Sequence, residues 1–200
     1  GADEFRDIER LAQVADELLN VHPALRCGEA VKKHSLLQCG QRIGRTAHLS
    51  RGSRGEVHCS RQRSLELFVE ATQHLIDLGH KRIAFISGDP EHPDAVDRQQ
   101  GYRSAIEGSG LRFDPALVLA GNFTEHSGLL AVERLLDSRT RFSAILAAND
   151  QMAFGAALGL YRHGRRVPDD VSLVGFDDVS GSLYMVPPLT TVHNPIQEIG

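Results

Sequence analysis

Residues 142–178 read FSAILAANDQMAFGAALGLYRHGRRVPDDVSLVGFDD. The stretch opens on a short apolar run, Phe142 to Ala147, which predicts a strand buried on both faces. An Asn149-Asp150 pair then stands where a helix is predicted to start, over Gln151 to Arg162, stopped by His163-Gly164. A second apolar run, Val171 to Gly175, predicts another buried strand and delivers a second acidic pair, Asp177-Asp178. Strand, helix and strand at this spacing form the unit of a parallel sheet.

Working outward, the same alternation continues. Leu67 to Leu78 has helical period and ends at Gly79, with His80, Lys81 and Arg82 placing positive charge beyond the helix's negative end. Arg82 to Ser87 is a nearly all-apolar strand closed by Gly88-Asp89-Pro90. A helix from Asp94 to Ser109, a strand from Leu117 to Ala120 and a helix from Ser127 to Leu136, entered through Thr124-Glu125, follow in order. Thr190 to Asn194 reads as a further strand, and Pro195 suits the first turn of a helix over Ile196 to Ile199. The fold class expected is therefore α/β, an open parallel sheet with helices on both faces, one lobe of its kind.

The first third has another texture. Residues 3–19 place Phe5, Ile8, Leu11 and Leu18 at helical spacing, but periodicity vanishes from Pro23 to Ser64. Between Arg26 and Arg63 stand nine Lys or Arg against Glu29 and Glu56 alone, so the net charge of −4 conceals a basic segment in an otherwise acidic chain. The organisation expected is a helix within residues 1–25, an irregular basic segment over 26–64, a lobe over 65–193 and the start of a crossover at 194–200.

Composition narrows the function. No run is apolar and long enough to span a membrane, and no charged-then-apolar leader opens the chain, so a cytoplasmic protein is expected. Cys27, Cys39 and Cys59 lack CxxC spacing and are odd in number, and the ten histidines are scattered, so neither a disulfide frame nor a metal site is expected. Neither GxGxxG nor GxxxxGK[ST] occurs, which disfavours a phosphate cradle, and no Gly-x-Ser-x-Gly or nucleophile–base pair points to an enzyme. No cofactor is expected.

In open parallel sheets ligands gather at the carboxyl ends of the strands. The predicted ends Ser87, Ala120, Ala147 and Gly175 are followed by Asp89 to Asp97 with Arg98, by Asn122-Phe123, by Asn149-Asp150 and by Asp177-Asp178. Asn, Asp and one Arg fork hydrogen bonds to neighbouring hydroxyls, and an aromatic face covers the apolar face of a sugar ring. The competing reading makes Asn149 or Asp150 a helix cap and Asp177-Asp178 a turn. Repetition across four strand ends favours a small polar ligand. Adjacent on a strand end, Asp177 and Asp178 are expected to point apart.

Several motifs carry a family resemblance: Ala71 to Gly88, Arg98-Gln99-Gln100-Gly101-Tyr102, Ala148 to Ala153, Val167 to Asp178 and Pro188 to Val192. In order and spacing, residues 69–199 strongly resemble the effector-binding region of the lac/gal repressor family of bacterial transcription regulators, whose core is similar to periplasmic sugar-binding proteins. The resemblance implies that Arg98, Asn149 and Asp177 bind the effector, that Phe123 stacks on it and that Asp94 joins them. It implies a monosaccharide effector, a homodimer and operator DNA as partners, with no membrane. The helix-turn-helix that contacts DNA in such regulators has no match in this sequence, and residues 3–19 correspond to the last helix of the first lobe, so the chain is expected to supply one wall of a two-lobed cleft. A free-standing periplasmic-type sugar-binding protein is the alternative. The segment 26–63 stands where the family has buried strands. It reads either as a nucleic-acid-touching tail or, by preference, as a frame-shifted stretch, because suitable codons for His58 to Arg63 encode Ile-Ala-Val-Asp-Asn one base out of frame.

Overall fold

In the computed structural model the backbone is described for residues 42–43 and 56–194 and side chains for 63–194, all within the unit Lys32–Gly200. The helix expected over 3–19, most of the basic segment and the turn after Pro195 lie outside the described residues. Short apolar runs become short strands: β1 Arg42–Ile43, β2 Ile83–Ser87, β3 Val118–Ala120, β4 Ala144–Ala147, β5 Ser172–Phe176 and β6 Thr190–Val192. They form one parallel sheet in the order β1-β6-β5-β4-β2-β3. Every residue of β2, β4, β5 and β6 is buried, which is why these runs lack the alternation of a half-exposed strand.

Four α-helices are described, α1 Glu56–Asp77, α2 Pro93–Gly108, α3 Glu125–Asp137 and α4 Asp150–Arg162. From β2 the chain steps to β3 and then crosses back over β2 to reach β4. Right-handed crossovers make that reversal carry α3 and α4 to the face opposite α2. The packing agrees, since α1 lies against α2 and α3 against α4. On the first face Phe68 of α1 meets Phe85 edge-on at 5.7 Å and Phe176 at 4.8 Å, while Phe85 stacks on Tyr102 at 5.0 Å. This aromatic column anchors α1 and α2 directly beneath the carboxyl ends of β2 and β5.

Two expectations need correction. Helix α1 begins at Glu56 rather than Leu67, and β1 at Arg42–Ile43 pairs with β6, so the segment expected to be irregular contains regular structure. Periodicity missed the helix because basic and polar residues form its first turns, and missed β1 because two residues carry no period. Strand β5 runs through Phe176 instead of ending at Gly175, so Phe176 belongs to the core and the acidic pair follows the strand at once.

Candidate ligand-binding site

The reversal of chain direction leaves a crevice between the carboxyl ends of β2 and β4, where doubly wound sheets bind ligands. Arg98 spans it. Carried on α2, its guanidinium donates through Nη1 to the carbonyl of Ala148 beyond β4. It lies over the Phe176 ring at 4.4 Å, with the Phe123 ring centroid 5.7 Å away. Nη2 stands 3.7 Å from Asp177 Oδ1 and 3.9 Å from Asp94 Oδ2. Both separations exceed hydrogen-bond length, so the opposite charges are paired without being closed on one another. Burial draws the Arg98 pKa down, against the upward pull of Asp177 and then Asp94.

Asp177 is held by backbone geometry few residues adopt. Its φ is 101°, Asp178 follows at 54°, and Phe123 sits at 65° across the crevice. Left-handed backbone at bulky or charged residues is costly and clusters at functional sites. The twist sends the acidic pair apart as expected: Asp177 turns to Arg98 and Asp178 to His193 Nδ1 at 2.9 Å. Burial raises the Asp177 carboxyl to about 6; Arg98 opposes that rise, Asp150 adds to it, and a hydrogen bond from Asn194 again opposes it.

The aromatic wall has its own support. Phe123 lies where a side chain on residue 88 would stand: a Cβ on Gly88 would come within 2.0 Å of the ring's Cζ. His92, the cap of α2, meets the ring edge-on at 5.5 Å. Asn149 serves two readings at once. Its Oδ1 caps α4 by accepting from the Met152 amide at 3.0 Å, and its Nδ2 donates to the Phe123 carbonyl at 3.0 Å, tying the aromatic turn to the end of β4.

Asp150, the second residue of the pair expected after β4, organises the floor. Fully buried, its carboxylate accepts from Thr191 Oγ1 at 2.6 Å, Ser182 Oγ at 2.7 Å and the Val179 amide at 2.9 Å. Gly175 makes room for it, because a Cβ there would lie 2.1 Å from Asp150 Oδ1. Burial raises its pKa, and the hydrogen bonds of Thr191, Ser182 and Val179 oppose the rise. The structure thus brings Arg98, Asp177, Asp94, Phe123 and Asn149 to one crevice. It adds Phe176, Asp150 and Asn194, marked by their burial in the folded lobe, and the exposed His92, marked by its contact with the Phe123 ring. Among the described residues no group of three His, Cys, Asp or Glu is arranged to hold a metal ion.

The profile of the periplasmic binding protein-like domain matches residues 72–200. The HTH-type transcriptional regulator CelR of Thermobifida fusca is 43% identical over 131 residues, 66% of this chain and 38% of that protein. The regulator AscG of Escherichia coli K12 is 36% identical over 197 residues, 98% of this chain and 58% of that protein. Among solved structures, a transcriptional regulator CelR–cellobiose complex superposes with a TM-score of 0.64 at 40% identity, covering 68% of this chain and 41% of that one. The chain thus spans about two fifths to three fifths of the length of these relatives.

Proposed function

The chain belongs to the periplasmic binding protein-like domain family, beside the effector-binding regions of LacI-family regulators, and from that premise we propose that it senses a sugar. One observation carries the reading: a buried Arg98–Asp177 pair at 3.7 Å, stacked on Phe176 and faced by Phe123, at the sheet's switch point. A charge pair held this way offers guanidinium donors and a carboxylate acceptor to two hydroxyls of one sugar ring, while Phe123 covers the ring's apolar face. Asn149 positions Phe123 through Nδ2 and offers the second lone pair of its Oδ1 to a ligand hydroxyl, and Asp94 sits at the mouth. The effector class is a monosaccharide or a related small sugar. The disaccharide cellobiose in the CelR complex supports a small sugar as the effector.

Residues 65–193 act as one wall of the cleft. In the complete protein, binding shifts lobe closure and thereby operator affinity in a cytoplasmic homodimer, by reciprocal linkage. The relatives named above are regulators, which favours this reading over a free-standing binding protein, and binding proceeds without turnover. Exposed Leu183, Tyr184 and Val186 on the turn after β5, with Leu158 and Tyr161 on α4, support the dimer, since large apolar side chains grouped at a surface mark interfaces.

Isothermal calorimetry of the chain against a panel of monosaccharides and cellobiose tests the proposal. One sugar is expected to bind, with Asp177→Asn and Phe123→Ala each weakening it by about tenfold or more. Unchanged binding in both variants would refute the site.

A further inference from the structure

The sheet has a second opening at its other end. Where the amino ends of β5 and β6 meet the last turns of α1 and α4, a cavity of about 210 Å³ is walled by Ala157, Leu173, Met185, Pro187 and Leu189. No residue of the Arg98 crevice lines it. Arg165 and Arg166 line it beside His74 and the Tyr161 phenol, and no carboxylate does. Arg166 is committed to Asp169 at 3.4 Å and Asp170 at 3.1 Å. Arg165 acts on Asp170 through its field alone, which leaves its donors for another acceptor. His74 supplies the second polar element. Its Nε2 is buried with no hydrogen-bond partner among the described residues, an uncommon and costly state for a ring nitrogen. Burial lowers the His74 pKa, against the opposing pull of Asp77, so the imidazole is neutral near pH 7.

Size sets the ligand. A dry cavity of about 150 Å³ holds one benzene ring, and drug-sized sites begin near ~300 Å³. A void between those limits takes a single ring with one polar substituent. We propose that this cavity is a second small-molecule site, for a single-ring monocarboxylate whose ring lies against Leu173, Met185 and Leu189 and whose carboxylate meets Arg165. Ligand charge follows from Arg165, the lining cation whose donors are left for another acceptor, and ring size from the volume. Tyr161 and Val186 stand at the mouth, 80% and 98% exposed, on the surface assigned above to a second copy. An occupant here therefore abuts the proposed dimer contact without touching the sugar crevice.

Benzoate is the probe, titrated into the intact chain at pH 7 and followed by methyl NMR, with benzyl alcohol as its neutral counterpart. Saturable shifts centred on Leu173, Met185 and Leu189 are expected. Benzyl alcohol is expected to bind about tenfold more weakly, and Arg165→Gln, an exposed change that spares the fold, to weaken benzoate by a similar factor. The proposal is overturned by equal binding of the two probes, by indifference to Arg165→Gln, by shifts centred on Phe123 instead, or by shifts that appear only as a dimer is diluted to monomer, the sign that a second copy fills the cavity. Because the readout is local, failure of the sugar reading leaves this result unaffected.

Discussion

With its carboxyl raised to about 6 by burial, Asp177 keeps a proton in the native state that the unfolded chain has already released above its ordinary pKa near ~4. Between those values the native state binds more protons than the unfolded one. This residue's contribution to stability therefore falls as pH rises through the window, and its full penalty is present above pH 6. Urea unfolding of the chain and of Asp177→Asn is expected to show the variant gaining relative to the parent between pH 4.5 and pH 7.5. On the proposed reading, sugar binding moves oppositely. A hydroxyl donating to the carboxylate requires the charged form, so affinity is expected to fall as pH drops below 6, with proton release visible as a buffer-dependent heat in calorimetry. At the other wall, Gly88→Ala sets a Cβ against the Phe123 ring. It is expected to weaken sugar binding while costing about 1–3 kcal/mol of stability, the range for overpacking.

At the scale of elements, the carboxylate of Asp150 joins the start of α4 to the turn Ser180–Tyr184 and to β6. Asp150→Ala strands three donors, two of them buried, and is expected to lower stability by about 3 kcal/mol, with Asp150→Asn intermediate because an amide oxygen still accepts. Chemical denaturation of the two variants checks the order. These elements were legible in sequence to differing degrees. Apolar runs such as Ile83 to Ile86 and Ala144 to Ala147 announce strands because burial on both faces removes alternation. Likewise Arg98 and Asp177 were readable from motif and position at strand ends. What sequence could not show is partnership: Asp150 and Asn149 look alike beside a helix start, yet one is fully buried against donors 29 to 41 residues away and the other both caps α4 and reaches the Phe123 carbonyl 26 residues back. Asn194, which hydrogen-bonds Asp177, stands just past β6 with no motif to mark it. The first turns of α1 went unread because they lack an apolar stripe.

For the molecule as a whole, Leu183, Tyr184 and Val186 form the surface on which self-association is expected. Tyr184→Asp is expected to shift sedimentation toward monomer at micromolar concentration while leaving sugar affinity within about twofold, since the Asp177 carboxylate faces Arg98 rather than this surface. The hydrogen bonds to Asp150 also bear on how the lobe is made. A ribosome delivers Asn149, Asp150 and the acidic pair before it delivers Ser182 and Thr191, and every donor that satisfies Asp150 lies later in the chain. A nascent polypeptide halted at Asp178 carries Arg98, Asn149 and Asp177 and still holds a carboxylate with none of its native donors. The donors that satisfy Asp150 are therefore complete only once synthesis has passed Thr191, and the proposed site gains its floor after every one of its own ligand-facing residues has been made.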